Sequence, residues 1–158
     1  MVEPSPQPPR IDPGYGVPAD ASGAELLPWS EAERWLAESR NYWICTTRRD
    51  GRPHASPVWG LWRGGAVVFS CSRASVKARN LARDPRVVVH TESGDDVVIL
   101  EGVVEEIGLD DAIAAEYEAK YGWRVRPDEG SVWLRLAPAS AQTWRESDYP
   151  RSAARWVF

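Results

Sequence analysis

The chain has 158 residues, a mass of 17.6 kDa, a net charge of -4 and a pI near 5.3. That length suits one domain with room for a proper core, and the acidic balance argues against a nucleic-acid binder, which would carry a basic face. No run approaches the ~18 apolar residues a membrane span needs and no leader-like apolar stretch follows the start, so a cytoplasmic protein away from any membrane is expected.

Residues 1–28 hold seven prolines, a composition that sustains neither a helix nor a central strand, and are expected as an extended N-terminal arm ahead of a single domain over 29–158. Residues 28–37 read as a helix with Ser30 as N-cap, Glu33 completing a capping box, and Trp35 and Leu36 facing inward. Residues 42–47 are aromatic and β-branched, hence a strand. Asp50-Gly51 supplies a hairpin turn, and the return strand runs from Pro53 to Trp62. Trp59 and Trp62, three apart on it, point to opposite faces.

Gly64-Gly65 makes the next turn and Ala66–Cys71 the third strand. Ser75–Arg83 is a short basic helix closed by Asp84-Pro85. Strands over 86–92 and 97–106 follow, the second with Gly102 marking a bulge or bend. A helix over 110–121 ends at Gly122, and two last strands, 132–136 and 140–145, are split by Ala137-Pro138-Ala139. Several antiparallel strands with only short helices between them predict a mainly β fold, a small antiparallel β-barrel of six to seven strands with peripheral short helices.

The chemistry concentrates in residues 70–86. An apolar strand runs there through small hydroxyl residues into a basic helix, so Ser72 or Ser75 can cap it while Lys77 and Arg79 bring cations to its free N–H groups. Arginine supplies all but two of the nineteen cations, which reads as codon bias before function; Lys77 and Lys120 are the exceptions. Cys45 and Cys71 match no zinc or CxxC spacing, so reduced thiols and no metal site are expected. The acid pairs at element ends are expected as solvated surface.

The Asp-Gly-Arg-Pro hairpin, the Pro-Val-Trp strand, the Gly-Gly turn and the run Lys77-Ala78-Arg79-Asn80-Leu81-Ala82-Arg83-Asp84-Pro85-Arg86-Val87 resemble the pyridoxamine 5'-phosphate oxidase-like split β-barrel superfamily of flavin and deazaflavin oxidoreductases. The resemblance implies a homodimer with the cofactor ring in a groove at the subunit interface. It carries the phosphate side onto Ser70, Ser72, Ser75, Lys77, Arg79 and Asn80, and the ring's flank onto Pro57, Val58 and Trp59. His54, also on that strand, is a candidate proton donor. The phosphate oxidases tend to show Ser-Arg-Lys where this chain has Ser75-Val76-Lys77. The missing arginine tilts the reading from FMN to the branch that binds coenzyme F-420, whose tail is a phospholactyl-glutamate chain. The implied activity is hydride transfer from the reduced deazaflavin to an electron-poor small-molecule substrate. An FMN-dependent oxidase or reductase is the alternative, and a non-catalytic flavin- or haem-binding protein the second.

Overall fold

The structure is a computed structural model that describes residues 4–9, 11–12, 14 and 25–158. Strand β1 (Ser5–Gln7) comes from the N-terminal arm, most of which lies outside the described residues. Then follow α1 (Trp29–Glu38), β2 (Asn41–Thr47), β3 (Pro53–Arg63), β4 (Ala66–Ser72), α2 (Val76–Arg83), β5 (Arg86–Thr91), β6 (Asp96–Ile107), α3 (Asp111–Tyr121), β7 (Ser131–Arg145) and β8 (Ala154–Val157). All strand pairings are antiparallel. The order β7-β4-β3-β2-β5-β6 closes on itself through β6–β7, giving a six-stranded barrel, with β8 and then β1 added beside β7.

The turns form where the sequence supplies their residues. Gly64 and Gly65 take φ of 56° and 74°, the left-handed conformation that a two-residue hairpin between right-twisted strands requires. On β2 the alternation is clean: Tyr42, Ile44 and Thr46 are buried, while Trp43 and Cys45 face outward and are half-buried. The barrel interior is filled by Ile44, Val67, Phe69, Val89, Leu100 and Leu136, and α1 adds Trp29, Ala32, Trp35 and Leu36 to the same core. A second cluster holds Ile113 and Tyr117 of α3 against Leu61, Val68 and Trp133.

Two local expectations are corrected and a third gains a role. Helix α1 starts at Trp29, so Pro28 rather than Ser30 stands at the N-cap, with no side-chain bond there. Asp110 is exposed, as expected, and also accepts from the Ile113 N–H at 2.7 Å, capping α3. The two last strands are one continuous β7. Glu101 pairs with Ser140 and Gly102 with Pro138, so Ala139 is an extra residue without a partner on β6. Its carbonyl accepts instead from the Phe158 N–H at 3.1 Å. A bulge is where a strand tolerates the N–H that Pro138 lacks, so the proline bends β7 without ending it.

Gly102 faces this bulge. A Cβ there would stand 2.8 Å from Leu136 Cδ1 and 2.9 Å from the Ala137 carbonyl oxygen, and the backbone atom cannot yield cheaply. Gly102→Ala is expected to cost about 1–3 kcal/mol, read as a lower urea midpoint at unchanged slope. Among the described residues no helix is long and apolar enough to cross a membrane.

Candidate functional site

The β3–β4 ladder is short. Gly60–Arg63 pair with Ala66–Phe69, whereas residues 53–59 of β3 are laddered to β2 alone and residues 70–72 of β4 to β7 alone. The barrel is therefore open between these two half-strands, and both present backbone edges there that no ladder occupies. Every residue the sequence assigned to a cofactor lies on one of these half-strands, on the helix that follows β4 or at that helix's N-cap.

Helix α2 enters beside this opening. Ser75 caps it, its hydroxyl accepting from the Ala78 N–H at 3.2 Å, while the Ser72 hydroxyl accepts from the Ala74 N–H at 3.2 Å. Lys77, in the first turn, is half-buried and pairs with no carboxylate among the described residues. Its charge is felt by two neighbours. Burial raises the Cys71 thiol, against a hydrogen bond from Ser75 and the Lys77 charge. Burial first, then Arg48 and Lys77, push His54 below the ordinary imidazole value. Both effects disfavour the imidazolium form of His54.

Asn80 is buried, and its amide donates to Thr46 Oγ1 at 2.9 Å; Thr46 Oγ1 in turn lies 3.4 Å from His54 Nδ1. With its oxygen accepting from Asn80, the Thr46 hydroxyl can donate to Nδ1, leaving the ring proton on Nε2. Asn80 is in this way committed to holding α2 and β2 together and to orienting His54. Arg79 donates to the Ala74 carbonyl. Ser56, between His54 and Val58 on the open half of β3, has a buried hydroxyl with no partner. A buried polar atom left unpaired beside an unladdered strand suits a polar ligand seated there.

Trp59 is 37 % exposed and stacks on Tyr121, ring centroids 4.6 Å apart and planes 6° from parallel, with the Arg40 guanidinium 5.6 Å from both rings. The Tyr121 hydroxyl accepts from the Gly60 N–H at 2.8 Å and sits 2.7 Å from the Arg40 carbonyl. This satisfies β3 just beyond its ladder with β2, whose first residue Asn41 pairs with Trp59, and locks the indole's neighbour in place. Pro57 is exposed and Val58 buried, the alternation expected on a strand with one face in the core. Ser70 is half-buried on the β4 edge of the opening.

Lys120 completes the α3 end of this cluster. Its ammonium donates to the Gly60 carbonyl at 3.0 Å and lies 5.1 Å from the Tyr42 ring centroid, with no carboxylate partner among the described residues. Burial, helped by the Arg40 charge, lowers it to about 8. The folded value lies below the unfolded one of about 10.4, so between these the unfolded chain binds the extra proton and stability rises with pH. Above about pH 10 buried tyrosines reverse the slope, since Tyr117 is pushed up to about 12 and the unfolded chain loses tyrosine protons first. Raising the pH from 7 to 9.5 is expected to lift the wild-type thermal midpoint relative to Lys120→Met. Partial exposure keeps the gain under about 1 kcal/mol, and a pH-independent gap would refute it.

Residues 29–145 match the family model described as pyridoxamine 5'-phosphate oxidase. The chain belongs to this family. Its barrel is that of other solved pyridoxamine 5'-phosphate oxidase-like structures, at identities that speak to the fold alone. A conserved hypothetical protein of Mycobacterium tuberculosis is 24% identical over 78% of this chain and 88% of that one, with a TM-score of 0.67. An F-420 reductase is 23% identical over 69% and 94%, with a TM-score of 0.58. A pyridoxamine 5'-phosphate oxidase-related, FMN binding protein of Nostoc punctiforme is 17% identical over 85% and 92%, with a TM-score of 0.58. Comparison with curated proteins finds no match.

Two features of this family member escaped the sequence reading. The β2–β3 hairpin sets Arg48, Arg49 and Arg52 around a cavity of about 540 Å³ that Val76, Arg79 and Asn80 of α2 close from the other side. Asp50, its one acid, is taken up by Arg52 at 2.8 Å. At the other end of the open half-strand a cavity of about 440 Å³ is lined by Trp59 and Ser70 together with residues of α3, β7 and the loop between them. Arginine abundance hid the first, since the hairpin read as turn chemistry alone, and the second needs four separate elements to meet.

Proposed function

We propose that the protein is a coenzyme F-420-dependent oxidoreductase that reduces an electron-poor small molecule. The observation that carries this reading is the run of cations beyond the phosphate position. Lys77 stands without a carboxylate partner among the described residues at the α2 N-terminus, Val76 occupies the place where a second phosphate-gripping arginine would serve FMN, and the hairpin guanidinium groups line the cavity that Val76 and Arg79 border. A phosphate alone needs no such extension; a phospholactyl-glutamate tail, with further carboxylates after its phosphate, does.

The residues present fit such a group. Lys77 and the Ser75-capped helix start hold the phosphate, Arg48, Arg49 and Arg79 take the tail, and the free backbone edge of β3 from His54 to Trp59 with the unpaired Ser56 hydroxyl meets the polar edge of the ring. When bound, the reduced deazaflavin supplies the hydride that the substrate's double bond accepts together with a proton. His54, its imidazolium form disfavoured and its Nδ1 beside the Thr46 hydroxyl, enters as a hydrogen-bond donor through Nε2 rather than as an imidazolium acid.

The site is completed by a second copy of the chain. The outward face of β3, β2 and β5 carries Ala55, Pro57, Trp43, Cys45 and Val88, and Val103 on neighbouring β6 is 55% exposed; an apolar sheet face of this kind favours a covering subunit. Titration of the purified protein with F-420, FMN and haem under one set of conditions tests the reading. Tight F-420 binding by a dimer is expected; tight FMN or haem binding without F-420 binding would replace it by the flavin enzyme or the carrier protein.

A further inference from the structure

The cavity of about 440 Å³ beyond Trp59 is walled by four aromatic side chains, Trp59, Tyr117, Trp123 and Trp133, and carries two guanidinium groups, Arg124 and Arg126. Its aromatic walls are set by the fold. Trp133 pairs with Ser70 in the β4–β7 ladder, and Tyr117 packs edge-on against Trp133 with centroids 5.4 Å apart. Trp59 is fixed by its stack on Tyr121. Trp123 differs: it is 63% exposed on the loop after α3, and it makes none of the aromatic contacts that hold the others. Core packing does not account for an indole held in solvent beside a cavity.

The cations there are equally unspent. Arg126 takes part in no side-chain hydrogen bond or ion pair among the described residues, and Arg124 reaches only Glu118, at 3.9 Å. The one acid on the lining, Asp128, accepts from the Gly130 N–H and from the Ser131 hydroxyl, each at 3.0 Å, so its carboxylate is consumed by the turn it closes. Flat aromatic walls select a planar molecule, and a planar guanidinium fork without a counter-ion selects a carboxylate. The volume suits a substituted one- or two-ring compound.

We infer that this cavity is the substrate site and that the substrate class is a planar, conjugated aromatic carboxylate, its ring held between Trp59 and Trp123 and its carboxylate by Arg124 and Arg126. The inference rests on the proposed cofactor reading for its role in turnover, because Trp59 and Ser70 border both the cavity and the open half-strand; the binding itself does not depend on it.

Isothermal titration of the full chain, with and without F-420, using trans-cinnamate and its neutral counterpart cinnamamide tests this. Wild type is expected to bind the acid at least about tenfold more tightly than the amide. Arg124→Gln/Arg126→Gln is expected to abolish that preference while leaving cinnamamide affinity, F-420 affinity and the thermal midpoint unchanged, and Trp123→Ala to weaken both ligands alike. No cinnamate binding at millimolar concentration, equal binding of acid and amide, or an unchanged cinnamate affinity in the double variant would overturn the inference. A double variant that loses F-420 affinity would overturn it too, by giving these arginines to the cofactor. A wild-type protein that binds neither F-420 nor FMN but keeps the acid preference would refute the cofactor reading and leave the aromatic-acid site standing.

Discussion

Replacing Trp156 with alanine is expected to destabilise the protein by about 3–5 kcal/mol, the range for emptying a large aromatic site in a packed core. At this chain length that lowers the thermal midpoint by on the order of 10 °C. The indole is 1% exposed and lies 5.3 Å from Trp29, joining the last strand to the first helix. Its Nε1–H donates to Thr143 Oγ1 at 2.9 Å, and Thr143 is completely buried. The variant therefore loses apolar burial and also strands a hydroxyl that water cannot reach. Phe158, 49% exposed and edge-on to Trp29 at 4.9 Å, is the matched control: Phe158→Ala is expected to cost under about 1 kcal/mol. Midpoints for the two variants within a degree of each other would show that the C-terminal strand is not part of the core. The same strand pairs with β1, so its loss also removes the described anchor of the N-terminal arm.

The barrel was legible in the sequence because its turns are chemically explicit. Asp50-Gly51 and Gly64-Gly65 mark hairpins, and alternation along Tyr42–Thr47 assigns the faces. Pro138 misled because a proline inside a strand pattern normally ends it, whereas a bulged residue opposite Gly102 absorbs it, and that pairing involves positions far apart in the chain. The opening between β3 and β4 was not legible at all: each half-strand keeps its own alternation, and only the ladder shows that they part after Gly60 and Phe69. The position of Asn80 on a short basic helix did not show its bond to Thr46, which comes from a strand far earlier in the chain.

Lys77→Ala is expected to weaken F-420 binding about tenfold, or about 1.4 kcal/mol, the scale of one charge-assisted hydrogen bond with part of its strength screened. The position of the lysine decides this. It lies in the first turn of α2, which has no acidic residue, so its charge opposes the helix dipole instead of complementing it. Its neighbours add to the strain on the site, since Arg48 and Lys77 both bear on His54. No carboxylate among the described residues compensates it. A cation held against the local field is unfavourable for folding unless an anion arrives. Removing it is therefore expected to leave the thermal midpoint of the free protein unchanged or to raise it slightly, by up to about 0.5 kcal/mol, while affinity falls. Lys77→Arg is expected to keep most of the affinity, because the charge remains although the longer fork must refit. A variant that loses stability and affinity together would make Lys77 a structural residue, and one that loses neither would move the phosphate away from α2.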